Sequence, residues 1–258
     1  MRHECITLPE TGVVLETYLT DNRAVEPERR RPLVLVFPGG GYAYRSDREA
    51  EPVALRLLGL GLQAVIVRYS VSPARYPTAL REAAEAVAYA HAHADEWLCD
   101  PNKVAVMGFS AGGHAAAHIG IRWQEMPQGK ACRPDYMILC YPVITAGEFA
   151  HRGSFQELLG DQHDALCDTV SLEKHVTDQT PPTFLWHTWD DGCVPVENSL
   201  LLATALKQHT VSCEMHIFEH GWHGLSLANA EVYNPQDAER SPECRIWIEL
   251  AARWLKQQ

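Results

Sequence analysis

Short apolar runs recur along the chain, each bounded by turn residues and most separated from the next by a stretch of helical character. Val13 to Thr20 alternates apolar and polar positions, which predicts an exposed antiparallel strand. A polar, arginine-rich connection follows from Asp21 to Arg31. Leu33-Val34-Leu35-Val36-Phe37 and Ala64-Val65-Ile66-Val67 are unbroken apolar runs and predict strands buried on both faces. Lys103 to Met107, Tyr136 to Cys140, Pro181 to His187 and Cys213 to Phe218 predict four more strands. The spacing Ser46-Asp47-Arg48-Glu49 is that of a capping box and predicts a helix running from there toward Leu58, stopped by Gly59 to Gly61. Further helices are expected over Pro77 to His93, Gly113 to Gly120, Val196 to His209 and Ser241 to Lys256.

Strand and helix alternating at this interval predict an α/β fold, a mostly parallel twisted sheet with helices on both faces. A length of 258 residues fits one such domain over residues 1–258. Between Tyr141 and Thr180 the chain is polar, with short helical stretches only around Phe155 to Leu159 and Leu172 to Val176. That segment can roof a site, but it is too short for a large cap domain.

The chemistry is concentrated in Gly108-Phe109-Ser110-Ala111-Gly112. This Gly-x-Ser-x-Gly follows a predicted strand and opens a small-residue helix, the context of a nucleophile elbow. Ser110 is the candidate nucleophile, and Ala111 N–H a candidate oxyanion donor. The buried run ending at Phe37 leads into Pro38-Gly39-Gly40-Gly41-Tyr42, where successive glycines can turn backbone N–H groups toward one point. Gly40 and Gly41 are the candidate donors there, with the choice between them open.

A serine hydroxyl needs a base held by a third group, and in this order of elements the acid precedes the histidine. Asp191, opening Asp-Gly-Cys-Val-Pro after the run ending at His187, is the preferred acid; Asp190 is the alternative. Among 13 histidines, His223 is the preferred base, glycine-flanked beyond the strand ending at Phe218, with His220 as the alternative. His114 and His118 have i, i+4 spacing, but no third ligand accompanies them, so no metal and no cofactor is expected. Tyr42, Phe109, Trp189 and Trp222 stand beside these motifs and are candidate substrate-binding aromatics.

Composition narrows the setting. With 46% hydrophobic and 21% charged residues the chain reads as soluble and globular, and a net charge of -11 argues against nucleic acid as a partner. The start lacks the apolar core of a secretory signal, and no stretch approaches the ~20 apolar residues of a membrane span. Eight scattered cysteines without a Cys-x-x-Cys pair read as free thiols. Together these predict a cytoplasmic protein without membrane partners; a homo-oligomer is compatible with the sequence.

In the motifs quoted, and in Arg48 to Ala54, Arg68 to Val71, Val194 to Ser199 and Glu219 to Leu225, the chain resembles the α/β-hydrolases. More narrowly it is similar to bacterial acetyl esterases related to acetylxylan and feruloyl esterases. The resemblance implies the Ser110, Asp191, His223 triad and a small-molecule ester substrate, an acylated sugar or similar alcohol carrying a short acyl group. The chain departs from the wider lipase branch in one respect, carrying Pro38 where many relatives have histidine before the three glycines. Two other readings compete: a peptidase resembling the prolyl oligopeptidase catalytic domain, and a catalytically inactive scaffold that binds rather than turns over.

Overall fold

The computed structural model describes the backbone of residues 1–258 and every side chain but those at positions 235 and 238. Its centre is one eight-stranded sheet in the order β1-β2-β4-β3-β5-β6-β7-β8. The strands are β1 (Cys5–Thr7), β2 (Val14–Tyr18), β3 (Arg31–Phe37), β4 (Gln63–Arg68), β5 (Cys99–Phe109), β6 (Tyr136–Cys140), β7 (Thr183–Thr188) and β8 (Cys213–Phe218). From β4 to β8 every pairing is parallel; β2 runs antiparallel to both β1 and β4. This is the expected α/β-hydrolase sheet.

The unbroken apolar runs have a simple cause. Leu33, Leu35 and Phe37 of β3 enter one core, while Val34 and Val36 enter the other. Successive strand side chains point to opposite faces, so a strand covered on both faces has no polar position. On the first face lie α2 (Thr78–Ala92), α3 (Ala111–Arg122), α4 (Arg152–Leu159), α5 (His163–Val170) and α6 (Glu197–Gln208). Across the sheet α1 (Glu51–Gly59) packs with α8 (Trp247–Gln257), the latter following a four-residue α7 (Pro235–Ala238) and a 3-10 turn. Trp247, Ile248, Ala251, Ala252 and Leu255 of α8 are buried against that face. Complete burial of one such aliphatic side chain is worth about 1.5–3 kcal/mol.

Two expectations are corrected. Ser46 makes no side-chain cap bond; residues Asp47–Glu49 form a 3-10 turn, and α1 starts at Glu51 with Pro52 in its first turn. Glu49 instead turns inward and is 3% exposed. In the roof segment, α5 forms where no helix is predicted, turning Leu166, Cys167 and Val170 onto the core, and Leu172–Lys174 is only a 3-10 turn. No large cap is present: the chain between β6 and β7 carries only α4, α5 and two 3-10 turns.

Because β3 and β5 to β8 are parallel, the loops that leave their carboxyl ends share one edge of the sheet. Gly39 to Gly41, Ser110, Tyr141, Asp191 and His223 all lie on such loops, the edge where open α/β sheets place their sites.

Candidate active site

Ser110 occupies the tip between β5 and α3, with φ 53° and ψ -120°. Positive φ on a non-glycine residue costs of order 1–3 kcal/mol and persists only where surroundings enforce it. The enforcing contacts come from close approach: a Cβ on Gly108 would stand 2.2 Å from Gly112 O, and one on Gly112 would stand 2.2 Å from Phe37 O. Any side chain at either position would push the helix off the strand, which explains both glycines of the pentapeptide.

Three side chains then form one line. Ser110 Oγ donates to His223 Nε2 over 2.7 Å, and His223 Nδ1 donates to Asp191 Oδ2 over 2.7 Å. Asp191 Oδ1 accepts from the N–H groups of Cys193 at 2.9 Å and Val194 at 3.0 Å. The Asp191 side chain is 1% exposed and that of His223 18%. Burial alone would raise the Asp191 carboxyl, but the nearby His187 N–H and the hydrogen bond from His223 outweigh it and hold that carboxyl well below the usual carboxylate range. The acid is therefore ionised beside the imidazole across the working pH range.

The neighbouring candidates take other partners. Asp190 accepts from Gly221 N–H at 2.7 Å and pairs with His220 Nδ1 at 3.1 Å. His220 and Asp190 are thus a partly exposed pair that braces the loop leading into His223. His114 and His118 are buried in α3. His114 Nε2 donates to Val170 O and its Nδ1 accepts from the Tyr42 hydroxyl, so neither nitrogen is left for a metal.

At the glycine loop, the Gly39 N–H is taken by Glu49 Oε2 at 2.8 Å. Gly40, Gly41 and Ala111 have no hydrogen-bond partner for their N–H groups among the described residues. Gly40 has φ 123°, and a Cβ there would lie 2.1 Å from Tyr44 O, so only glycine makes this turn. The anchor that the proline at position 38 requires is the Tyr69 hydroxyl, which donates to Pro38 O at 2.6 Å.

Two of the four aromatic candidates are not on the surface at all. Phe109 is 0% exposed and packs on Tyr141 and Trp247; Tyr42 is 3% exposed. Neither can stack on a substrate: alternation along β5 sends the residue before the serine into the core, and the Tyr42 hydroxyl is drawn inward to His114. Trp189 is 63% exposed, and Trp222 is half-buried between Tyr233 and the guanidinium of Arg240.

Four residues were not legible as site residues. Glu49 and Tyr141 are joined by a 2.7 Å hydrogen bond, and the Tyr141 ring meets the His223 ring at 5.2 Å. His187, fully buried, reaches Asp191 Oδ2 at 3.4 Å. His151, at the start of α4 in the roof, accepts the Ser154 N–H on Nδ1; burial and the nearby His223 push its imidazole down. The only sequence signals were the inclusion of Glu49 in the motif Arg48 to Ala54 and of His187 in the matching stretch Pro181 to Asp191.

A parallel-centred sheet with a strained serine, a histidine and an aspartate in line at its carboxyl edge defines the α/β-hydrolases. Within that class the chain belongs to the BD-FAE family, whose pattern matches residues 17–206. The structure is similar to that of the acetyl ester-xyloside bifunctional hydrolase from Caldicellulosiruptor lactoaceticus. The two are 40% identical, with a TM-score of 0.83, over 96% of this chain and 89% of the other. The endo-1,4-beta-xylanase B of Butyrivibrio fibrisolvens is 35% identical over 80% of this chain and 34% of its own length. The acetylxylan esterase of Xylanibacter ruminicola is 28% identical over 79% of this chain and 43% of its own. The chain thus spans less than half the length of these two curated relatives.

Proposed function

We propose that the protein is a serine carboxylic-ester hydrolase that removes acetyl or other short acyl groups from carbohydrate or a similar alcohol. The observation that carries this reading is the unbroken line from Ser110 Oγ through His223 to a buried Asp191, each step 2.7 Å. Ser110 Oγ attacks the acyl carbonyl carbon while its proton passes to His223 Nε2. Asp191 holds the imidazole in the tautomer that can accept this proton and stabilises the imidazolium that results. The oxyanion is received by Ala111 N–H and by Gly40 or Gly41 N–H, one such donor being worth about 2.7–4 kcal/mol in the transition state. As the ester C–O bond breaks, His223 returns the proton to the departing alcohol oxygen. The same base then draws a proton from water, whose oxygen attacks the acyl carbon, releasing the carboxylic acid and restoring Ser110.

The acyl-sugar preference is supported by relatives named for acetylxylan esterase and acetyl ester-xyloside hydrolysis. The single continuous sheet supports reading residues 1–258 as one domain. All eight cysteines are free thiols, which supports a reducing, cytoplasmic setting. Among the described residues no helix is long and apolar enough to cross a membrane.

The test is hydrolysis of p-nitrophenyl acetate, butyrate and octanoate, and acetate release from acetylated xylo-oligosaccharide, by wild type and Ser110→Ala. The expected result is activity that falls with acyl length, includes the sugar ester and disappears in the variant. Ester turnover equal in both proteins, or absent from both, refutes the reading.

A further inference from the structure

We infer that Glu49 is a positioning residue that ties the oxyanion loop to the catalytic histidine. The inference rests on the ester-hydrolase reading and extends it to a residue with no place in the triad. One carboxylate spans two catalytic loops. Its Oε2 accepts the Gly39 N–H at 2.8 Å, immediately before the two glycines whose N–H groups remain open. Its Oε1 accepts the Tyr141 hydroxyl at 2.7 Å. Tyr141 Oη in turn accepts the Ser226 N–H at 2.9 Å, on the loop that carries His223, and its ring meets the His223 imidazole edge to face at 5.2 Å.

The carboxylate also lies beside the nucleophile. A Cβ built on Gly39 would stand 2.7 Å from Glu49 Oε2 and 3.1 Å from Ser110 Cβ, so Gly39 is the only residue thickness between them. The peptide joining Pro38 to Gly39 is thereby fixed at both of its polar atoms, the carbonyl by Tyr69 and the N–H by Glu49. With that plane held, the following N–H groups are aimed before substrate arrives, which is where electrostatic stabilisation of an oxyanion gains its strength.

A neutral or apolar residue does not serve equally. Glu49 is 3% exposed, and among the described residues its carboxylate is bonded to the Gly39 N–H and the Tyr141 hydroxyl, with no cation paired to it. Burying an unpaired carboxylate is costly, and removing it leaves the Gly39 N–H and the Tyr141 O–H without acceptors in a dry site. Glutamine is the informative replacement: its amide oxygen can accept from Gly39 while its NH2 donates to Tyr141 Oη, keeping both links with the phenol hydrogen turned away.

The test uses the full chain with Glu49→Ala, Glu49→Gln and Tyr141→Phe, after thermal melting has shown which variants fold. Two readouts are taken: kcat and KM on p-nitrophenyl acetate, and the rate at which an alkyl fluorophosphonate labels Ser110. In Glu49→Ala, kcat and labelling rate are expected to fall about 100-fold with KM within about threefold of wild type, the loss expected when one oxyanion donor is misplaced. Glu49→Gln should recover to within about tenfold of wild type, and Tyr141→Phe, which cuts only the histidine arm, should fall between the two. A folded Glu49→Ala protein labelled at the wild-type rate overturns the inference and leaves the ester-hydrolase reading intact. If Glu49→Ala does not fold, wild-type labelling of Tyr141→Phe overturns the coupling. A wild type that takes no label overturns both readings.

Discussion

His187 stands directly behind Asp191: its Nε2 is 3.4 Å from Asp191 Oδ2 and 3.0 Å from Val194 O, and both side chains are sealed from solvent. A carbonyl only accepts, so Nε2 carries a proton, donated to Val194 O and lying beside the Asp191 carboxylate. Ser199 Oγ lies 2.7 Å from the other ring nitrogen and fixes the ring plane. Asp191 therefore receives hydrogen bonds on both oxygens, two from backbone N–H groups on Oδ1 and one from His223 on Oδ2, with the His187 N–H close behind.

This predicts a phenotype for His187→Leu, which keeps much of the volume and strips the donor. Leaving the buried Val194 carbonyl and Ser199 hydroxyl without their partner costs about 1–3 kcal/mol, which for a chain of this size lowers the melting temperature by roughly 2–12 °C. Turnover of p-nitrophenyl acetate is expected to fall about tenfold, equivalent to about 1.4 kcal/mol of transition-state stabilisation, with KM little changed. Melting and steady-state kinetics on the same preparation check both.

The adjacent aspartates separate cleanly by substitution. Asp191→Asn leaves an amide facing His223 Nδ1 and stabilises the wrong tautomer, so kcat is expected to fall about 10³–10⁴-fold. Asp190→Asn retains an oxygen for the Gly221 N–H and disturbs only a partly exposed pair with His220; its kcat should stay within about tenfold. Equal losses in the two variants would contradict the assignment of Asp191 as the acid.

The reason sequence could favour one aspartate without settling the pair is physical. Both follow β7, both precede Gly192, and which one turns inward depends on His187 and on the N–H groups of Cys193 and Val194, contacts that exist only after folding. The central strands were legible because burial on both faces leaves an unmistakable apolar run, as in Leu33 to Phe37, whereas the three-residue β1 carries no such run and was not predicted. Ser110 was legible because Gly108 and Gly112 are forced by close backbone approach. Glu49 was misread because capping-box spacing is a local signal, whereas its partners Gly39 and Tyr141 come from loops 10 and 92 positions away. Phe109 and Tyr42 were misread for the same reason in reverse: adjacency to a motif says nothing about which side of the strand or loop a ring occupies.

The aromatic candidates accordingly predict opposite phenotypes. Phe109→Ala empties a core position between Tyr141 and Trp247 and is expected to cost about 3–5 kcal/mol of stability. Trp189 is 63% exposed, so Trp189→Ala should change stability by less than about 0.5 kcal/mol. If its ring receives the sugar, the variant raises KM for acetylated xylo-oligosaccharide several-fold and leaves p-nitrophenyl acetate unaffected. Equal KM for both substrates in wild type and variant would remove Trp189 from the binding surface.

Acid stability supplies a test of the buried α3 histidines. Burial pushes the His114 imidazole down from 6.5 to about 4, the hydrogen bond to Val170 O opposing this only in part, and His118 moves in the same direction. Above pH 6.5 both folded and unfolded chains hold His114 neutral, so its contribution is complete. As pH falls from 6.5 toward 4, the unfolded chain takes up a proton that the folded chain refuses, and stability is lost with it. Between pH 7.5 and 5.0 this one residue accounts for about 2 kcal/mol of lost stability by proton linkage. His114→Gln can still accept from the Tyr42 hydroxyl and donate to Val170 O but does not titrate. Urea unfolding at the two pH values should therefore show the wild type losing about 2 kcal/mol more than the variant. Identical pH dependence in the two proteins would mean that His114 is protonated in the native fold, against its burial and its two fixed partners.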